Sequence, residues 1–163
     1  MKPFYLSLVL VALLSAPATA QDSTAQDSTA QNDVVVSVET FVISTVTAEN
    51  GTPREEAIAA TTARPGQVVE YRLRLVNRGE ATLPPGTVKL RGPVPDTTSY
   101  VAGSATPSSE AVLTEVSADG GETFSQAATA EDEAQVYNVI RWTVLIPLEP
   151  GQEMQFVYRV TVG

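Results

Sequence analysis

"VVEYRLRLVN", Val68 to Asn77, places Val69, Tyr71, Leu73 and Leu75 at every second position and Glu70, Arg72 and Arg74 between them. Successive side chains of a β-strand point to opposite faces, so this stretch reads as a strand with one face in a core and the other toward water. Two later stretches repeat the design. "MQFVYRVTV", Met154 to Val162, sets Phe156, Tyr158, Val160 and Val162 inward against Gln155, Arg159 and Thr161 outward. "VIRWTVL", Val139 to Leu145, sets Ile140, Trp142 and Val144 inward against Arg141 and Thr143. No window after the N-terminal leader offers an apolar stripe of helical period.

Turn signals separate these strands at short intervals: Asn50-Gly51, Pro65-Gly66, Asn77-Arg78-Gly79, Pro84-Pro85-Gly86, Asp119-Gly120-Gly121 and Pro150-Gly151. Regular spacing of such signals predicts an all-β sandwich or barrel. The stretch from Glu39 to Ala63 reads as one hairpin turning at Asn50-Gly51, a dipeptide that supplies the positive φ angles of tight hairpin loops. The expected fold is all-β, an immunoglobulin-like two-sheet β-sandwich of eight or nine strands between Val34 and Val162, with Trp142 between the sheets.

The first twenty residues are of another kind. "MKPFYLSLVLVALLSAPATA" carries Lys2, an apolar run from Leu6 to Leu14 and the small-residue end Ala18-Thr19-Ala20, the layout of a secretory signal peptide cleaved after Ala20. The run is short of the roughly 20 residues a membrane span needs, and no later stretch approaches it. Residues 21–33, "QDSTAQDSTAQND", hold the pentapeptide QDSTA twice without a large apolar residue, the composition of a disordered spacer. Residues 34–163 then form one domain.

The chain has ten Lys and Arg against nineteen Asp and Glu, with no His and no Cys. So acidic a protein is a poor partner for nucleic acid. Without Cys there is neither a disulfide nor a lipid-modified N-terminal cysteine. Without His and Cys the commonest general base, the thiol nucleophile and most zinc ligand sets are missing. Lys89 is the single lysine outside the leader, and in "TVKLRG" its neighbours Val88 and Leu90 share the opposite face, which points Lys89 to solvent. That weighs against a Ser-Lys pair and against an internal Lys-Asn crosslink. The reading is therefore non-enzymatic and calls for no cofactor.

Three patterns are candidate sites. "SADGGETFS", Ser117 to Ser125, matches the Asp-box pattern of sialidase propellers, but it occurs once and without a repeated blade, so it reads as a structural hairpin. In that reading Asp119 accepts backbone N–H bonds, Gly121 takes a positive φ, Thr123 completes the pattern and Phe124 points into the core. Seven acids and no base lie between Glu110 and Glu133; Glu131, Asp132 and Glu133 are the calcium candidates, although the ligand spacing of a calcium loop is missing. Arg72, Arg74, Arg141 and Arg159 all point outward and, were their strands to share a sheet, would form a docking face for an anionic partner such as the acidic loop of another copy.

Taken together, "PGQVVEYRLRLVNRGEATLPPGTVKL", "PVPDTTSYVAGSATP" and "IRWTVLIPLEPGQEMQFVYRVTV" resemble the bacterial conserved-repeat domain known as domain of unknown function eleven. The matching positions are Pro65, Gly66, Tyr71, Asn77 and Gly79, then Pro93, Pro95, Tyr100, Val101, Gly103, Ser104 and Ala105, then Trp142, Leu148, Pro150 and Gly151, within residues 65–162. The family usually has Asp immediately before the proline matched by Pro93, where this chain has Gly92. The resemblance implies an immunoglobulin-like sandwich on an exported or surface-exposed bacterial protein, without known catalysis. The expected role is structural or protein-interacting, in the periplasm, cell envelope or at the cell surface, with self-association among the options; the alternative is a calcium-dependent, adhesin-like ligand-binding domain.

Overall fold

The computed structural model describes residues 4–5, 33–126 and 136–163, and every regular element among them is a strand. In chain order these are β1 (Phe4–Tyr5), β2 (Val34–Thr47), β3 (Pro53–Ala59), β4 (Thr62–Ala63), β5 (Val68–Asn77), β6 (Lys89–Pro93), β7 (Thr98–Tyr100), β8 (Val112–Ser117), β9 (Ser125–Gln126), β10 (Val139–Val144) and β11 (Glu153–Val162). From Val34 on there are eight strands of three residues or more, with β4 and β9 as two-residue additions. The leader, apart from the pairing of β1 with β4, and the QDSTA spacer up to Asn32 lie outside the described residues.

Two antiparallel sheets carry the fold. One has the order β3-β2-β5-β11-β7 and the other β6-β10-β8-β9. The stretch Val68–Asn77 is central to the first, paired with β2 on one side and β11 on the other. The apolar sets of β5, β11 and β10 meet between the sheets: Tyr71, Leu73, Phe156, Tyr158, Ile140 and Trp142 are at most 1 % exposed. Trp142, from β10, tilts against Phe156 and Tyr158 of the opposite sheet, with ring centroids 5.4 and 5.9 Å apart. Tyr158 stacks on Tyr71 at 4.9 Å. Burial of large aromatic rings on both sheets is what clamps the layers together.

Gly92 faces this cluster from β6. A Cβ there would lie 2.8 Å from Cε1 of Tyr158 and 3.0 Å from Cζ3 of Trp142. The rings occupy the space a side chain would take, and the Tyr158 hydroxyl reaches past Gly92 to donate to the Pro93 carbonyl at 2.7 Å. Trp142 donates its indole N–H to the Thr106 carbonyl at 3.2 Å.

Polar residues between Pro65 and Val162 tie strand ends together. Asn77, fully buried, donates its amide to the carbonyls of Ala81 and Leu148, both at 2.9 Å, and accepts from Gly79 N–H at 3.0 Å. The edge of β11 is closed in two ways. β7 pairs with Val160–Val162, and further along the edge two hydroxyls replace the missing strand: Ser104 Oγ accepts the Arg159 N–H at 2.9 Å and Thr106 Oγ1 the Val157 N–H at 2.8 Å. Every buried backbone donor needs such a partner.

Candidate functional site

β8 ends at Ser117, and the chain reverses through Ala118–Phe124 into β9. Ser117 donates its hydroxyl to Asp119 Oδ1 at 2.6 Å and accepts the Gly121 N–H at 2.8 Å. The Asp119 carboxylate accepts the N–H groups of Glu122 (3.1 Å) and Thr123 (3.0 Å) and the Thr123 hydroxyl (2.5 Å). Gly120 and Gly121, at φ 78° and 92°, make the left-handed turn that lets one carboxylate collect these donors. Asn138 closes the loop, accepting the Gly120 N–H at 3.0 Å and donating to the Ala118 carbonyl at 3.2 Å. The Ser117 hydroxyl, then the Thr123 hydroxyl and N–H, hold the Asp119 carboxyl well below the usual carboxylate range.

Phe124 departs from expectation. It is half-buried on the outside of the four-stranded sheet, with the Arg141 guanidinium 3.6 Å and the Arg91 guanidinium 5.4 Å from the ring centroid. The inner face beneath is already filled by Ile140, Trp142 and Val116, so the aromatic residue that ends the reversal stacks on cations instead.

The four outward arginines do not form one face. β5 and β11 share the five-stranded sheet, but β10 belongs to the other, so Arg141 points away from Arg72, Arg74 and Arg159. Nor is any of the four a free cation. Arg141 pairs with Glu115 of β8 at 2.7 Å, Arg74 with Glu153, Arg72 with Glu70 at 2.7 Å, and Arg159 with both Glu70 (2.8 Å) and Glu55 (2.9 Å). Arg74, Arg141 and Arg159 pair with carboxylates of other strands, the ordinary use of cross-strand opposite charge, while Arg72 pairs within β5.

Glu70 is the centre of the larger network and was not singled out by the alternation of its strand. It lies on the outer face yet is 5 % exposed, covered by Arg72 and Arg159. Burial works to raise its pKa, and the hydrogen bonds from Arg72 and Arg159 outweigh it, leaving the carboxyl below its ordinary value. Phe41 lies under Arg72, 4.2 Å from its Cζ. The sequence signal was present as Glu-x-Arg at i, i+2 on one strand face, but Arg159 is 89 residues away and only the pairing of β5 with β11 supplies it.

Lys89 is exposed on the edge strand β6. Glu131, Asp132 and Glu133 lie outside the described residues, and among the described residues no three metal-ligating side chains come together. No helix among the described residues is long and apolar enough to cross a membrane.

Comparison of the chain with protein-family models, with curated proteins and with solved structures finds no match.

One feature carries exposed hydrogen-bonding capacity. β2 is fourteen residues long, but β5 covers it only from Val34 to Ile43, so the β2–β3 hairpin runs on past the sheet to its Asn50-Gly51 turn. β3 pairs with β2 on one side and ends the sheet on the other. Residues 53–56, 58 and 59 of its seven are exposed, including Ile58 at 51 %.

Proposed function

We propose that this chain is an exported, non-enzymatic, immunoglobulin-like module that works by binding protein in the periplasm, envelope or surface of a bacterium. The observation that carries the reading is the projecting β2–β3 hairpin, an open strand edge held out by a sandwich whose outward arginines Arg72, Arg74, Arg141 and Arg159 are each paired with a carboxylate. An unpaired strand edge is a ready template for another chain, and binding by strand addition needs no catalytic group. The leader layout of residues 1–20 and the spacer composition of residues 21–33 support export followed by presentation on a tether. The segments between Pro65 and Val162 support membership of the conserved-repeat family they resemble. In this chain they do structural work: Asn77 joins two turns, and Ser104 closes an edge.

Fractionation of the producing cell and sequencing of the mature N-terminus tests the export. A chain starting at Gln21 outside the cytoplasm is the expected result; a full-length cytoplasmic chain overturns it. Thermal unfolding across millimolar calcium, followed by chelator, tests the binding class. An unchanged melting temperature is expected, and a calcium-dependent rise replaces this reading with the calcium-binding one, because a ligand of the native state raises its stability.

A further inference from the structure

The open edge of β3 fits a second copy of itself, and we propose that two copies of this chain pair antiparallel, β3 to β3, about a two-fold axis at Glu55. This deepens the reading above by naming the partner, and its test is independent of export.

The argument starts from which backbone groups face out. Ala60 donates its N–H to Thr40 of β2, and the Thr52 carbonyl accepts from Ala48, so the even-numbered residues of this strand bond inward to β2. The register between Pro53 and Ala59 is unbroken, and backbone groups alternate sides along an antiparallel strand. Glu55, Ala57 and Ala59 therefore present both N–H and C=O to the outside. Pro53 presents only a carbonyl, which limits the strand at that end.

Two-fold pairing about Glu55 sets Glu55 opposite its own copy and Pro53 opposite Ala57. Glu55 of each copy then exchanges N–H and C=O, and each Ala57 N–H finds the Pro53 carbonyl that lacks nothing as an acceptor. The same register sets Arg54 opposite Glu56 of the second copy, twice. These fall at the non-hydrogen-bonded positions, where facing side chains come closest. Among the described residues neither Arg54 nor Glu56 makes an ion pair within its own chain, so both are available. The Glu55 pair on the axis is not left as bare like charge, because each Glu55 is held by its own Arg159 at 2.9 Å. A register shifted by two residues toward Ala57 loses the complementarity, setting Glu56 against Glu56 and Arg54 against Ile58. Charge thus selects one register of an edge whose backbone alone would accept several.

Sedimentation velocity of the chain as its cell processes it, from micromolar to millimolar concentration, tests this. A concentration-dependent monomer–dimer equilibrium is expected. Arg54→Glu puts like charge at both crossings and is expected to weaken the dimer by about tenfold or more, which corresponds to about 1.4 kcal/mol over the two pairs. The exchange Arg54→Glu with Glu56→Arg restores the opposite pairs and is expected to return the dimer to within about threefold of the starting chain. Both positions are solvent-exposed, and the restoring exchange separates a lost interface from a lost fold. A monomer at every concentration overturns the proposal, as does a dimer that neither variant changes.

Discussion

Gly92→Ala tests the packing of the core at its tightest point. An alanine Cβ at this position falls 2.8 Å from Tyr158 Cε1, 3.0 Å from Trp142 Cζ3 and 3.1 Å from Trp142 Cη2. Carbon atoms in ordinary contact sit about 3.5 to 4.0 Å apart, so three contacts are short at once. Neither ring has room to withdraw. Tyr158 is pinned between Tyr71, 4.9 Å away, and the Pro93 carbonyl, to which its hydroxyl donates at 2.7 Å. Trp142 is held by its bond to Thr106 and by Phe156 at 5.4 Å. A glycine outside the positive-φ region normally gains about 0.4 to 1 kcal/mol on replacement by alanine, through the unfolded chain. Forcing one methyl into a full core costs about 1 to 3 kcal/mol. The net expectation is a loss of about 1 to 2 kcal/mol, opposite in sign to the usual effect. Urea unfolding followed by the fluorescence of Trp142, the one tryptophan of the chain, measures it. In a Tyr158→Leu background the penalty should shrink, because the nearest atom is gone. Equal or greater stability of Gly92→Ala in the otherwise unchanged chain would refute the account of this contact.

Trp142→Ala should cost about 3 to 5 kcal/mol, the range for deleting a buried aromatic, and the folded parent should show blue-shifted, poorly quenched emission; red-shifted emission would place the indole in water. Stability should fall at alkaline pH. Burial pushes the Tyr71 phenol from 10.0 up to about 12 and Tyr158 higher still, so both stay protonated when folded while the unfolded chain ionises. Their contribution is intact below about pH 10 and falls by about 1.4 kcal/mol per pH unit per tyrosine above it; urea midpoints that stay flat to pH 11 would contradict this. Tyr71→Phe should reduce that slope and leave neutral-pH stability unchanged or higher, since the Tyr71 hydroxyl is buried without a partner. Asp119→Ala should lower the melting temperature by releasing the Glu122 and Thr123 donors, and should leave the dimer equilibrium untouched because β3 lies in the other sheet.

Alternation alone determined which side of β5, β10 and β11 is apolar. In β5, β10 and β11 the faces read from the sequence are the faces seen, because period two is a property of the extended backbone and needs no knowledge of neighbours. Asn50-Gly51 located the hairpin for an equally local reason, and Gly51 has the positive φ of 82° that the turn requires. Which strands lie side by side was decided elsewhere. Closing a longer loop costs only a little more entropy than closing a shorter one, so local pattern ranks the pairings weakly, and the packing of whole faces chooses among them. That choice sent β10 to the second sheet and took Arg141 away from the other three arginines. It brought Arg159 over Glu70, burying a carboxylate that its own strand marks as outward. Thr143, outward by the same alternation, ends 8 % exposed. Phe124 lies outside for a related reason: its side follows from what already fills the interior, not from the turn that precedes it. Gly92 is the sharpest case. In the sequence it is a departure from a familiar pattern, and only the meeting of Tyr158 and Trp142 from opposite sheets gives the missing side chain its purpose, because volume in a close-packed core is settled jointly by residues far apart in the chain.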